Sequence, residues 1–467
     1  MTRLSEHTDL LVVGGGMAGL VAARTAAAGG LQVAVLEAAT DCGGMVGAHE
    51  VDGLVLDTGA ESFATAGGAV ADLANQVGLS DQVVSPHPIP ALVHHEGGTY
   101  SLPAKHVLGV PTDLQAPELD TALGVEGLRQ AQQDAYLPPA AGADERSLAG
   151  FVRARMGQQV LDRLVRPVVR VVHSVEPEDL HTDALVSDLP ARVAAAGSLA
   201  AALDAVGRRT PGGSATQGLK GGVHGLVSAL AADLEGNGVR LVPGTPVRSL
   251  DRRAGRWRVT TRAGETWSAG AVLLACPPHE WAFLDPSAAP DLVRLAADWP
   301  APSTVDLVTL VLDATQLPRH RRGGVLVTEP GANAKALTYA TAKWDWLAQI
   351  AGPEREVLRL AYPAGSHAPA EVGQVLLDAA RLLQIQIPEG ALRAHARIRM
   401  TLLRPVHASG MAARVRHMRQ ALASLDDIDA AGAWIAGTGL AAVVPDAEAA
   451  AARLVSRLRS GRSPRSI

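Results

Sequence analysis

Aromatic side chains are scarce, only 3% of the residues, so a core built from this chain relies on Ala, Val and Leu. Cysteine is almost absent. Cys42 and Cys276 lie far apart and form no metal-binding spacing, a usage that suits a reducing compartment. No charge of one sign dominates: the formal net charge is −5 and 19% of residues are charged. That balance excludes a general affinity for nucleic acid or anionic lipid. An unbroken spanning segment is missing too. The apolar stretch from Leu10 to Leu36 is interrupted by Arg24 and contains six glycines, whereas a spanning helix needs about 20 predominantly apolar residues. The polar stretch Met1 to Thr8 is too short for a secretory signal. A cytoplasmic protein without a transmembrane segment is expected, at most peripheral to a membrane.

What the chain does have is glycine, placed where chemistry uses it. Asp9 to Val13 is an apolar run, Gly14-Gly15-Gly16-Met17-Ala18-Gly19 follows, and Val33 to Leu36 is a second apolar run ending on Glu37. This order is strand, tight turn, helix of small residues, strand, acid. Gly14, Gly16 and Gly19 fill the three glycine places of GxGxxG: one for the turn, one for backbone approach to a pyrophosphate, one for helix–strand packing. Glu37 lies 18 residues beyond Gly19, where an acid holds a ribose hydroxyl pair. The acid favours an unphosphorylated ribose, hence FAD or NAD over NADP. Asp41-Cys42-Gly43-Gly44-Met45 and Asp57 to Phe63 add further glycines, which let backbone pass close to a ligand.

At 467 residues the chain exceeds one ordinary domain. Helices are predicted at Gly67 to Leu79, at Ser147 to Val172 with a kink or end near Pro167, after Gly218-Leu219-Lys220-Gly221-Gly222, at about 370–383 and near Asp446 to Leu458. Leu137 to Gly142 and Arg208 to Ser214 read as flexible loops, and the adjacent His94-His95 as a polar turn. Strands are predicted at Val239 to Val242, Val247 to Leu250, Arg256 to Thr261, Ala271 to Ala275, Val305 to Leu312, Gly324 to Val327, Ala334 to Tyr339 and Val357 to Leu360. Trp434 to Gly439 reads as a strand plus turn, and Arg457 to Ile467 as a disordered tail. Arg153, Arg155, Arg163, Arg166 and Arg170 are either a solvated face or a cationic wall for an acidic substrate.

Taken together, the glycine loop, the early GG, the GLKGG block, the return strand and the C-terminal glycine turn resemble the FAD-dependent amine-oxidase-like superfamily. Within it the chain resembles the oxygen-dependent protoporphyrinogen and coproporphyrinogen oxidases. Four stretches carry that likeness: Asp57 to Phe63, Phe151 to Leu180, Gly218 to Leu234 and Lys335 to Trp346. The alanine- and arginine-rich composition is similar to that of actinobacterial members. The fold implied is α/β: a Rossmann-type FAD-binding domain (residues 1–85, 216–280 and 426–458), a substrate-side and helical insertion (86–215), a mixed-sheet substrate domain (281–425) and a disordered tail (459–467). The cofactor implied is FAD. Gly14, Gly15, Gly16, Met17, Ala18 and Gly19 would hold its pyrophosphate, and Glu37 and Ala38 its ribose. Gly43, Gly44, Gly59, Ala60, Glu61 and Ser62 would line the flavin side, with Val247 at the adenine end. Gly437, Ala442, Val443 and Val444 would close over the flavin.

The resemblance implies a six-electron oxidation of a porphyrinogen in haem synthesis, with molecular oxygen reduced to hydrogen peroxide and a transient contact with ferrochelatase. In Gram-positive lineages the usual substrate is coproporphyrinogen III; protoporphyrinogen IX is the alternative, and a flavin amine oxidase a further one. Arg153, Arg166, Arg170 and the run Arg319-His320-Arg321-Arg322 are candidates to meet propionates, since a guanidinium meets a carboxylate with two hydrogen bonds. No nucleophile–base pair stands out. Three departures from the family pattern stand in the chain: Met45-Val46 after the early GG, Arg170-Val171-Val172-His173 for a Gly-Val-Tyr stretch, and Ala441 to Pro445 for a C-terminal glycine turn.

Overall fold

The computed structural model describes residues 6–95, 98–207, 216–318, 324–328, 333–363 and 368–461. β1 (Glu6–Val13), α1 (Met17–Ala28) and β2 (Val33–Leu36) form the first unit. β1 is apolar throughout because both of its faces are covered: Leu10 and Val12 join the core on one side, Leu11 and Val13 that on the other. β1 and β2 belong to a seven-stranded sheet in which Arg240–Val242, β2, β1, Thr266–Leu274 and Ile428–Ala430 run parallel. Val247–Arg253 and Arg256–Thr261 extend it as an antiparallel meander. The helix Leu440–Gly461 sends Val444, Ala447, Ala451 and Leu454 into the core that α1 also fills.

A second seven-stranded sheet is mixed, in the order Leu392–Leu402, Ser303–Asp313, Arg355–Ala361, Ala336–Tyr339, Gly324–Thr328, Leu92–His95, Gly98–Ser101. Its one parallel pairing joins Gly324–Thr328 to Leu92–His95. The helix Val372–Leu383 covers one face through Val375, Leu376 and Ala379. A helical cluster, formed by residues between Glu118 and Gly207, packs through Phe151, Leu161, Leu164 and Leu203. The architecture is thus the α/β one expected, with a nucleotide-type sheet, a mixed sheet and a helical insertion.

Local differences have physical causes. The helix expected from Ser147 breaks at Gly157 (φ 93°), not at Pro167. The chain resumes through a π-turn at Leu161–Val165, and Pro167 lies in the first turn of Arg166–Val172, where a missing N–H costs nothing. His94-His95 is strand rather than turn. The C-terminal strand is Ile428–Ala430, while Trp434 lies in the short helix Ala433–Ala436. Periodicity misses that strand because an acid, Asp429, stands at its centre, paired with Arg453 at 2.8 Å. Arg457 to Gly461, expected in a disordered tail, continues the last helix. The Leu137–Gly142 connection is tied down at Pro138, whose carbonyl accepts from Arg155 Nη1 at 2.9 Å. The expected loop Arg208 to Ser214, the run Arg319 to Arg322 and residues 462–467 lie outside the described residues. Among the described residues, no single helix is long and apolar enough to cross a membrane.

Candidate functional site

The glycine loop stands at the C-terminal ends of β1 and β2, the edge where parallel α/β sheets bind ligands. Gly14 N–H donates to Leu36 O at 2.8 Å, and its φ of 106° favours glycine. A Cβ on Gly19 would lie 1.9 Å from Gly14 O, so only glycine lets α1 approach the strand this closely. Around Gly16 the situation is the reverse. A Cβ there would find nothing nearer than Gly44 Cα at 3.9 Å, and no side chain caps α1. Its first amides therefore face a groove walled by backbone, the setting in which a helix N-terminus takes an anion. This cradle fits the diphosphate of FAD.

The neighbouring segments are drawn to the same edge by backbone bonds. Glu37 accepts from Gly15 N–H at 2.6 Å and from Ala39 N–H at 2.7 Å, which fixes its carboxylate beside the loop and beside exposed Ala38. Thr245 N–H donates to Glu37 O at 2.7 Å, bringing Val247 to this end of the sheet. Gly43 N–H donates to Gly15 O at 2.8 Å, so the GG pair lies across the loop. Thr58 N–H donates to Gly47 O at 2.8 Å, which sets Gly59, Ala60, Glu61 and Ser62 beyond that pair. Ala431 N–H donates to Leu274 O at 3.1 Å and carries the C-terminal segment to the same edge. There the expected turn is helical. Leu440–Gly461 begins just after Gly439, the N–H groups of Ala442 and Val443 donate to Gly439 O at 3.1 and 3.2 Å, and Val443 and Val444 are buried in the core.

Asp57 and Glu61, both within the stretch Asp57 to Phe63, tie the Asp57–Ser62 segment to distant elements, and Lys343 and Arg359, which the sequence did not single out, are among their partners. Buried Asp57 accepts from Val223 N–H at 3.0 Å and His224 N–H at 2.9 Å, tying the DTGAE segment to the start of the helix His224–Gly236. Glu61 receives Lys343 Nζ at 2.5 Å and lies 3.6 Å from Arg359 Nη1. Burial alone would raise its pKa; the two cations outweigh burial and hold the carboxyl below its ordinary value. Arg359 also donates to the carbonyls of Thr58 and Gly59. The sequence signal for Arg359 is a charge within the apolar run Val357 to Leu360.

The arginines read as either a solvated face or a cationic wall are engaged within the protein. Arg166 bridges Glu178 at 2.7 Å, Glu176 at 2.9 Å and Asp162 at 3.2 Å, and Arg170 binds Glu176 at 2.7 Å. Arg153 donates to Gln158 at 2.6 Å. Arg155 is fully buried against Asp134 at 2.6 Å, a core pair rather than a wall. Hydrogen bonds from Arg166 to Glu178 outweigh desolvation and lift its guanidinium above its already high value.

A nucleotide edge facing a mixed sheet and a helical lobe defines a flavin-dependent oxidoreductase. The sequence profile of the flavin containing amine oxidoreductases matches residues 17–334, and the chain belongs to that family. It is 27% identical to a protein of Mycobacterium tuberculosis named coproporphyrinogen III oxidase, over 96% of this chain and 97% of the relative. A Bacillus subtilis protein of the same name is 23% identical, over 97% and 98%. Among solved structures, a candidate protoporphyrinogen oxidase from Exiguobacterium superposes with a TM-score of 0.80 at 24% identity, covering 98% of this chain and all of that one. FAD is the cofactor of this enzyme.

Proposed function

We propose that the chain oxidises coproporphyrinogen III to coproporphyrin III, six electrons passing to molecular oxygen with release of hydrogen peroxide. The observation that carries this reading is the end-to-end similarity to the relatives named coproporphyrinogen III oxidase. It spans the helical insertion and the mixed sheet as well as the nucleotide edge. When bound, the flavin supplies a hydride acceptor that oxygen regenerates.

The residues around it bind and orient. Gly14, Gly15, Gly16, Met17, Ala18 and Gly19 take the diphosphate, Glu37 and Ala38 the ribose, and Val247 the adenine end. Gly43, Gly44 and Gly59 to Ser62 line the flavin, with Gly437 and the backbone of Ala442, Val443 and Val444 above it. Glu61 stays ionised between Lys343 and Arg359, which positions the segment rather than moving a proton. A pyrrole-stabilised hydride donor requires no strong base, and we assign no catalytic residue. The domain division proposed is a FAD-binding part from residues 1–85, 216–280 and 426–458, enclosing 86–215 and 281–425. A cytoplasmic site, peripheral contact with a membrane and transfer of product to ferrochelatase belong to the same reading.

The amine-oxidase alternative has less support in the C-terminal segment. Its one tryptophan, Trp434, is packed edge-on against Trp281 and Trp299, with ring centroids 5.4 and 5.1 Å away. Aerobic porphyrin fluorescence with purified holoprotein tests the proposal. Fast appearance from coproporphyrinogen III and slow from protoporphyrinogen IX is expected. The reverse order would reassign the substrate, and turnover of simple amines with neither porphyrinogen would replace the reading.

A further inference from the structure

The mixed sheet has two unlike faces. Leu337, Leu358 and Leu360 turn toward the helix Val372–Leu383. Thr338 and Arg359, paired in register between them, turn the other way. On the strand Leu92–His95, Leu92 packs with the first set and Val93 with the helical cluster. The helical cluster thus covers the Val93 end of the face on which Arg359 lies, Val357, Trp344 and Leu56 pack at the Arg359 end, and Arg359 holds the carbonyls of Thr58 and Gly59.

Just before the strand Ala336–Tyr339, Lys335 crosses from the sheet to the helical cluster. Its backbone N–H donates to Ala361 O at 2.7 Å, and its Nζ donates to Ser174 Oγ at 2.6 Å. Ser174 follows the helix Arg166–Val172 in a left-handed conformation, φ 55°. Beside it, buried His173 Nδ1 has no hydrogen-bond partner, and His407 stands close enough for the two rings' charges to repel. Val406, next to His407, lies 3.5 Å from the place of a Cβ on Gly437. Lys335 and Ser174 thus lie between two segments proposed to border the flavin: Ala361, which accepts from Lys335 N–H, is two residues from Arg359, the residue that holds Gly59, and Val406 beside His407 approaches Gly437.

The cations of the mixed sheet and of the helical cluster that packs on it differ in one respect. Arg359 and Lys343 share Glu61, and Arg166 and Arg170 share Glu176. Among the described residues, Lys335 has no carboxylate within salt-bridge distance; a serine hydroxyl uses one of its three donors. A buried ammonium without a counter-charge is costly, and burial lowers this one to about 8, so that it is still largely charged at neutral pH. A ligand carboxylate would remove that cost.

Resting on the porphyrinogen reading above, we propose that Lys335 is the anchor for a substrate carboxylate, one propionate of the porphyrinogen, and so a specificity-determining residue. Ser174 orients the ammonium, and His173 Nδ1 is the nearby polar group with unused capacity. A charge-assisted contact of this kind is worth about tenfold to a hundredfold in binding.

The test uses holoprotein and two substrates, coproporphyrinogen III and its tetramethyl ester, with Lys335→Met and Lys335→Arg, flavin content confirming that each variant is loaded. In Lys335→Met the KM for the tetra-acid should rise about tenfold or more while the ester's kcat/KM changes less than about twofold. Lys335→Arg should recover most of the acid preference. An unchanged KM for the acid in Lys335→Met, or an equal loss for acid and ester, overturns the anchor while leaving the porphyrinogen reading intact. Absence of wild-type turnover with either substrate overturns that reading and the anchor with it.

Discussion

The two ends of the site use opposite materials. At the nucleotide end the proposed site is built from backbone: Gly14, Gly16, Gly19, Gly43 and Gly44, with one carboxylate, Glu37, held by two amides. At the far end the proposed site is built from side-chain charge, drawn from Glu61, Lys343, Arg359 and Lys335. The backbone end tolerates no added atoms where the chain is closest. The charged end is tuned by which cations already have an acid. Steric exclusion governs the first region and charge compensation the second, so substitutions should fail differently in each.

The largest effect is expected at the closest backbone approach. Gly19→Ala places a Cβ 1.9 Å from Gly14 O, so the purified protein should lack flavin absorbance and melt markedly lower. Gly16→Ala, with 3.9 Å of clearance, should keep its melting temperature while flavin affinity falls. Equal melting temperatures for the two variants would break the steric account.

At the charged end the strongest response is to acid. His173 is lowered from 6.5 to about 4, mainly by burial and then by His407; Ser174, the partner of Lys335, follows it in the chain. Above pH 6.5 the ring is neutral in both folded and unfolded chains and has no effect. Between 6.5 and 4 the unfolded chain takes up a proton that the folded one refuses, so stability falls with pH, by up to about 3 kcal/mol in all. Denaturant titrations across that window check it, and His173→Gln should flatten the slope.

Lys343→Met leaves Glu61 with Arg359 alone and should cost about 2 kcal/mol. In the double variant with Glu61→Gln part of that loss should return; simple additivity would show that the pair is not coupled. Smallest of all, Arg170→Gln should change stability by less than about 1 kcal/mol and leave the KM for the tetra-acid unchanged, because Glu176 already occupies this guanidinium. A selective rise in that KM would restore the arginine wall.

The same contrast explains what could be read from the sequence. Gly14, Gly16 and Gly19 span six positions, and each glycine answers a local steric demand, so the α/β fold and the nucleotide loop were legible there. Glu61 and Lys343 are separated by 282 positions, and no local pattern announces that they meet. The arginines of Phe151 to Leu180 were visible, but the fate of Arg166 depended on how Glu176 and Glu178 fold back after a π-turn. The C-terminal strand went unread because Asp429 breaks its apolar run, and its neutralising partner Arg453 lies on a helix further on.

The sheet that carries the nucleotide edge joins β1, near the start of the chain, to Ile428–Ala430, and α1 shares its core with Leu440–Gly461. During synthesis this has a direct consequence. A nascent chain that has already exposed its glycine loop lacks the strand and helix that close the cradle until the last of these residues leaves the ribosome. The core that α1 shares with Leu440–Gly461 is therefore completed late in synthesis, and a chain truncated before Leu440 would leave apolar surface of α1 uncovered and exposed to aggregation.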